Sequence, residues 1–287
     1  MKDLLIATDF SENASHAARY GYQLAKQLKV NIVLCNAFVV PAEILQAGTI
    51  VWPEYEYDEL VKDYRHSLNE LKGKLAGDDN DGKFHPAVHC KSEVGTVQTV
   101  INQLASAKNI GITVMGTHGS SGLSTLMLGN HSRTMIEQTT TPLLLVPFSA
   151  PIQPIKKVAF ATDFSDLEHD LDAVYNLIPM MKTLHAELLI THVNDSKQQT
   201  HRLKKFIDNF LVDISNKADY PNIYYRIVKN RTPELGLDWL CEHGQVDMLA
   251  MVHRKHSLLS KIVTGSHTQK MAGRISVPLL VLPEKNG

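Results

Sequence analysis

The feature that most constrains the fold of this chain is an internal repeat. The five residues Ala-Thr-Asp-Phe-Ser occur at Ala7–Ser11 and again at Ala161–Ser165, each time directly after a short apolar run. The two halves also end alike, with TTPLLLVP closing the first and SVPLLVLP closing the second. Because identical residues in register with matching flanks are rarely accidental, we expect two copies of one unit. The predicted boundaries are domain 1 at residues 1–148, a proline-containing linker at 149–154 and domain 2 at 155–287.

Short apolar runs alternate with helical patterns in each half. Near-continuous apolar strands separated by amphipathic helices are typical of a parallel, doubly wound sheet. We therefore expect an α/β chain made of two tandem, five-stranded, Rossmann-like domains. The predicted strands are Asp3–Thr8, Asn31–Phe38, Ala87–Ser92, Ile112–Gly116 and Leu143–Val146, followed by Val158–Thr162, Glu187–Val193, Ile223–Val228, Asp247–Val252 and Leu279–Leu282. Predicted helices include Tyr57–Leu75, Thr96–Lys108 and one containing Pro179, which is expected to kink or shorten it.

Composition narrows the class of protein. The net charge of −1 gives no reason to expect a nucleic-acid partner or an anionic membrane surface. The three cysteines are far apart and form no Cys-x-x-Cys pair, which favours a reducing compartment and gives no zinc signature. Neither a signal peptide nor an apolar run of the roughly 20 residues that a membrane helix needs is visible. The expected protein is cytoplasmic, without a metal site.

The segment VMGTHGSSGLSTLMLGNHS, Val114–Ser132, raises the central functional question. Its glycines follow a predicted strand and precede a predicted helix, so backbone N–H groups and the positive end of a helix could face an anion. The segment matches neither the Walker motif nor the dinucleotide fingerprint Gly-x-Gly-x-x-Gly. Spacing alone leaves two interpretations open, a phosphate-binding loop and a tight structural turn.

Taken together, the repeat and this loop resemble the universal stress protein family in its tandem two-domain form. The family motif Gly-x2-Gly-x9-Gly-(Ser/Thr) is matched by Gly116, Gly119 and Gly129, with Asn130 in place of the final Ser or Thr. The resemblance implies a fold like that of the adenine nucleotide alpha hydrolases, and ATP bound in domain 1, with or without Mg²⁺. The residues that it implies as ligand contacts are Asp9, Ala37, Gly116, His118, Gly119, Gly129, Asn130, His131 and Ser132.

These residues have different expected roles. Asp9 would lie near the ribose and adenine, and Ala37 would offer a backbone contact to the adenine. The residues of the glycine loop would line the phosphates, with Ser132 lending a hydroxyl. Two alternatives stay open: Asp9 could merely shape the turn between strand and helix, and His118 could face solvent.

Domain 2 departs from the motif. Val252 and Lys255 stand where Gly116 and Gly119 stand, and only Gly265-Ser266 remains, although Asp163 and Val193 keep matching places. The second site is therefore expected to be degenerate for ATP. Its basic residues, His253, Arg254, Lys255 and His256, favour either a solvated surface loop or a site for another anion.

Three functions are compatible with the sequence. The first is a nucleotide-binding protein of stress response or signalling, with little or no turnover and an unknown protein partner. The second is an interaction protein that works without ATP, and the third is a slow ATPase. The family resemblance also implies that the last strands, Pro142–Pro147 and Pro278–Pro283, pair within one chain as a built-in dimer, with a homodimer as a further possibility.

Overall fold

The computed structural model describes residues 2–39, 54–77, 84–107, 109–117, 130–194, 201–254, 259 and 276–284. These residues contain ten strands and seven helices. In domain 1 they are β1 (Asp3–Ala7), α1 (Glu12–Leu28), β2 (Ile32–Phe38), α2 (Glu54–Gly77), β3 (Val88–Val94), α3 (Val97–Ala107), β4 (Ile110–Gly116), α4 (Asn130–Gln138) and β5 (Leu143–Val146). In domain 2 they are β6 (Lys157–Ala161), α5 (Leu167–Leu184), β7 (Glu187–Asn194), α6 (His201–Lys217), β8 (Ile223–Lys229), α7 (Pro233–His243), β9 (Met248–His253) and β10 (Leu279–Pro283).

All ten strands belong to one sheet, in the order β3-β2-β1-β4-β5-β10-β9-β6-β7-β8. Every predicted strand is confirmed, with ends that differ by two residues at most. Pairing is parallel within each domain, and the strand order reverses at β1 and β4 in domain 1 and at β6 and β9 in domain 2. In open α/β sheets such a switch point is where ligands bind, beyond the carboxyl ends of the strands.

The two domains join through their last strands. β5 and β10 pair antiparallel, with Leu144 opposite Leu280, and both side chains are buried. Each domain would otherwise expose the edge of its sheet, which invites pairing with another chain. The predicted built-in dimer is thus confirmed, and the pairing converts two five-stranded sheets into one continuous sheet.

Helix α1 connects domain 1 to the segment between the domains. The ring of His16 is buried, and its Nε2–H donates to the carbonyl of Ala150 at 2.9 Å. Farther along the helix, the Gln27 amide donates to the carbonyl of Ile155 and accepts from its backbone N–H at 2.9 Å. These bonds satisfy backbone groups of the connecting segment, which therefore has a defined path along α1.

Two expectations about helices have different outcomes. Pro179 was expected to kink or shorten α5; the helix has 18 residues and continues past the proline, so it is not shortened there, and the kink stays a prediction. The proline is exposed, whereas Met180, Met181 and Leu184 beside it are buried, and this packing outweighs the lost hydrogen bond. In the described part of the chain, no helix combines the length and apolar character that crossing a bilayer requires.

Candidate functional site

A cavity opens at the switch point of domain 1. Because β1 and β4 are neighbours, Asp9 and Gly116 at their ends face one crevice. The cavity has a volume of about 170 Å³. The residues that line it are Ala7, Thr8, Asp9, Ser11, Asn13, Ala14, Cys35, Ala37, Val97, Ile101, Met115, Gly116, Thr117 and Ser132.

The repeated Ala-Thr-Asp-Phe-Ser segment forms the turn on one side of this cavity. Thr8 Oγ1 accepts a hydrogen bond from the backbone N–H of Phe10 at 3.0 Å. Asp9 Oδ1 accepts from the N–H and the hydroxyl of Ser11, at 3.0 and 2.6 Å, and Ser11 caps α1. Phe10 has a φ of 64°, which is uncommon for a residue with a side chain. These bonds hold the turn in this conformation.

Domain 2 repeats this turn bond for bond. Thr162 accepts from Phe164, Asp163 accepts twice from Ser165, and Phe164 has a φ of 56°. The aspartate therefore shapes the turn in both domains, whatever else it does. In domain 1 the exposed Asp9 also lines the cavity mouth, so the structure places it where both of its expected roles are possible.

Ala37 lies where the ladder between β1 and β2 ends. Thr8 N–H still donates to the carbonyl of Cys35 at 2.8 Å, but the carbonyl of Thr8 accepts from the side chain of Asn36 at 2.9 Å. Along a strand, alternate residues direct their backbone groups to the same side. The N–H and carbonyl of Ala37 therefore point, like those of Cys35, to the side that β1 has just left, and Ala37 lines the cavity there.

Gly116 lets helix α1 approach the end of β4. A Cβ at this position would lie 2.9 Å from the carbonyl oxygen of Asn13 and 3.3 Å from the nitrogen of Ala14. Both are backbone atoms in the first turn of α1, which cannot move aside as a flexible side chain can. The glycine is thus required by helix packing, independently of any contact with a ligand.

Of the predicted ligand contacts that follow Gly116, the structure describes only Asn130, His131 and Ser132. His118, Gly119 and Gly129 lie outside the described residues. Helix α4 extends over Asn130–Gln138, so Asn130 and His131 lie in the first turn of its described part. Ser132 lines the cavity, and its buried Oγ has no hydrogen-bond partner in the part of the chain that the structure describes.

Other residues of the cavity were not predicted from the sequence. Val97 and Ile101 come from α3, and together with Cys35 and Met115 they give the cavity an apolar wall. Thr117, which follows β4, is buried, and its N–H donates to the carbonyl of Val146. No short motif marks these positions, although the alternation of the strands places Cys35 and Ala37 on one face.

The strand registers identify the equivalent residues of domain 2. Ile6 pairs with Val114 in β4, and Phe160 pairs with Ala250 in β9, so Val252 occupies the position of Gly116. Leu4 pairs with Ile32 and Val158 with Leu188, so Val193 occupies the position of Ala37. Both replacements are larger, and the Val193 side chain packs directly against Gly236 of α7.

A buried ion pair lies in the crevice of domain 2. The carboxylate of Asp170, on α5, accepts from the hydroxyl of Thr162 and from the guanidinium of Arg254. Asp170 is 1% exposed and Arg254 is 8% exposed. Burial raises the pKa of the Asp170 carboxyl, and the hydrogen bonds from Thr162 and Arg254 oppose this rise. Arg254 was expected to be a solvated residue or to bind an external anion; in this structure it is buried and paired with the carboxylate of Asp170.

The remaining basic residues of that loop are only partly described. Lys255, His256, Gly265 and Ser266 lie outside the described residues. Burial lowers the pKa of the half-buried His253, and the charges of Glu137 and Glu284 oppose this shift. His253 follows the position of Val252 and is therefore the counterpart of Thr117.

One group of side chains in domain 2 could hold a metal ion. Ligand atoms of Asp166, His169 and Glu284 lie within 4.8 Å of one another. Asp166 caps α5, however, and its carboxylate accepts from the backbone N–H of His169 at 3.2 Å and bonds Nδ1 of the same ring at 2.7 Å. The arrangement is accounted for by helix capping.

Comparison with known proteins agrees with this architecture. The sequence model of the universal stress protein family matches the chain twice, at residues 1–147 and 154–283. The chain belongs to the universal stress protein family. Universal stress protein MJ0577 of Methanocaldococcus jannaschii is 27% identical over 156 residues, which are 50% of this chain and 94% of that protein. Universal stress protein YxiE of Bacillus subtilis is 26% identical over 149 residues, covering 50% of this chain and 97% of that protein.

A solved structure matches the whole tandem. The crystal structure of a universal stress protein from Archaeoglobus fulgidus covers 99% of this chain and 97% of its own, with a TM-score of 0.70 and 19% identity. At this identity the likeness concerns the fold, and it extends over both domains. The small relatives and the tandem structure together show a family unit that this chain carries twice.

Proposed function

We propose that this universal stress protein binds one adenine nucleotide, ATP, in the crevice of domain 1, and acts as a nucleotide-responsive stress protein. The observation that carries the proposal is the contrast between the two crevices. In domain 1 the small residues Ala14, Ala37 and Gly116 leave a cavity, whereas in domain 2 larger residues fill the same place.

The cavity offers suitable groups for each part of a nucleotide. The apolar wall of Val97, Ile101 and Met115 suits a base, and the backbone groups of Ala37 supply a donor and an acceptor beside it. At the other end, the first turn of α4 and the hydroxyl of Ser132 provide donors for phosphate oxygens. The exposed Asp9 lines the same cavity and could accept a hydrogen bond from a ribose hydroxyl.

The charges around the described part of the cavity support binding with little or no turnover. Phosphoryl transfer generally needs a positioned cation, such as a lysine, an arginine or a metal ion. None of the described residues that line this cavity is a lysine or an arginine. We therefore propose a binding protein whose ligand alters its conformation or its protein partner. Mg²⁺ would arrive with the nucleotide.

Thermal unfolding of nucleotide-free protein tests this proposal. Saturating MgATP, at about 100 times its Kd, is expected to stabilise the folded chain by about 2.7 kcal/mol. The shift with ATP and EDTA measures the contribution of the metal ion. The shifts with GTP and with CTP, each at the same concentration as ATP, measure the contribution of the base. If millimolar MgATP does not raise the Tm, the result would instead favour an interaction protein that works without ATP. A phosphate release rate that depends on Mg²⁺ and on Asp9 would favour the slow ATPase.

A further inference from the structure

The buried Asp170 occupies, in domain 2, the place of a residue that lines the open cavity of domain 1. Helices α1 and α5 are terminated by the C-cap residues Lys29 and His185, both in the left-handed conformation, which mark the helix ends. Lys29 lies three positions before Ile32, which pairs with Leu4 of β1. His185 lies three positions before Leu188, which pairs with Val158 of β6, the equivalent of Leu4. Counting back 15 residues from each helix end reaches Ala14 in α1 and Asp170 in α5. Ala14 lines the cavity of domain 1, and the carboxylate of Asp170 projects from the same helical position.

We propose that the crevice of domain 2 is an anion site whose anion is supplied by the chain itself, namely the carboxylate of Asp170. Its donors are the guanidinium of Arg254, just past the end of β9, and the hydroxyl of Thr162, just past the end of β6. Removing this carboxylate opens a site for a small monocarboxylate ion of the size of formate. The inference does not depend on nucleotide binding in domain 1.

The electrostatics of this crevice favour an anion at that point. A guanidinium binds carboxylates strongly because both are planar and several N–H donors converge. Asp170 lies near the start of α5, where the positive end of the helix stabilises negative charge. Arg254 is nearly inaccessible to water, and its ion pair with the buried carboxylate of Asp170 offsets part of the hydration that it loses. A cation in this setting requires an anion, whether internal or external.

Larger residues narrow the described part of the crevice. Val252 stands in the position of Gly116 and is buried, and Val193 stands in the position of Ala37 and packs against Gly236. We therefore expect that external anions do not displace the internal carboxylate. Domain 2 is permanently occupied by its own side chain, which leaves domain 1 as the half of the built-in dimer that responds to a ligand.

Chemical rescue of an Asp170→Ala variant tests the proposal. The variant removes a carboxylate and leaves space for formate beside Arg254. We expect its Tm to lie about 10 °C below that of the unsubstituted protein, because breaking a buried ion pair leaves an uncompensated charge. Sodium formate should raise the Tm of the variant in a saturable manner, and by more than sodium chloride at the same ionic strength. Asp172→Ala, at an exposed position of the same helix, is the matched control and should respond equally to both salts.

A charge-balance experiment covers the case in which Asp170→Ala does not fold. Asp170→Asn keeps the shape of the side chain and removes its charge, and Arg254→Gln removes the opposing charge. The double variant is expected to unfold at a higher temperature than Asp170→Asn alone. The proposal is overturned if the double variant is the less stable of the two, or if formate stabilises Asp170→Ala no more than chloride does. Neither measurement involves a nucleotide, so failure here is distinct from failure of ATP binding.

Discussion

Substituting Gly116 by alanine separates a structural role of this glycine from a role in ligand contact. The added Cβ would lie 2.9 Å from the Asn13 carbonyl oxygen, closer than nonbonded atoms normally approach. Overpacking of this kind costs about 1–3 kcal/mol, and the lower chain entropy of alanine offsets about 0.4–1 kcal/mol. The net loss of about 1–2 kcal/mol corresponds to a Tm lower by roughly 2–8 °C for domains of this size.

The assay is thermal unfolding of nucleotide-free protein, with Gly73→Ala as the matched control. Gly73 lies inside α2, and a Cβ there would meet no atom within 4 Å. Alanine should therefore stabilise the helix at this position by about 0.5–1 kcal/mol. Equal stability of Gly116→Ala and the unsubstituted chain without nucleotide would refute the packing argument, and would leave ligand contact as the reason for the glycine.

Three further predictions concern the domain junction, pH and the phosphate end of the cavity. Leu144→Asp places a carboxylate in the buried β5–β10 pairing and should lower the urea midpoint sharply, whereas an unchanged midpoint would contradict the built-in dimer. Burial lowers the pKa of His16 below 6.5, so the unfolded chain takes up a proton first and stability falls as the pH drops below 6.5. His16→Gln should make Tm less dependent on pH between 5 and 7, and an identical slope would exclude this residue as a source. Ser132→Ala should weaken ATP binding about tenfold in calorimetric titration without lowering the stability of the nucleotide-free chain, because Oγ has no partner in the described structure. Unweakened binding would remove Ser132 from the site.

The repeat was sufficient to predict most of the fold. Each copy brings its own strands and helices in the same order. The family resemblance implied the pairing of Pro142–Pro147 with Pro278–Pro283 that the structure contains. Local patterns predicted less well where packing decides the outcome. Pro179 is an example, because the buried face of α5 outweighs the preference of proline to end a helix.

The candidate site was predictable in domain 1 and not in domain 2. Asp9, Ala37, Gly116 and Ser132 were implied by the family resemblance, and the structure brings them to one cavity. Asp170 and Arg254 are 84 residues apart, and no motif links them. Counting forward from the repeated segment would align Asp170 with His16. Domain 2, however, has two additional residues between that segment and the end of α5. Counting back from the helix ends, which the strand pairing aligns, instead puts Asp170 in the place of Ala14.

The stoichiometry of ATP binding tests the central claim most directly. Calorimetric titration of nucleotide-free protein with MgATP should give one site per chain. Ala37→Leu, which fills the cavity of domain 1, should abolish that site while the chain stays folded, and Val39→Leu, at an exposed position just beyond β2, should leave it intact. Two sites per chain, no site, or full binding by a folded Ala37→Leu variant would contradict a single nucleotide site in domain 1.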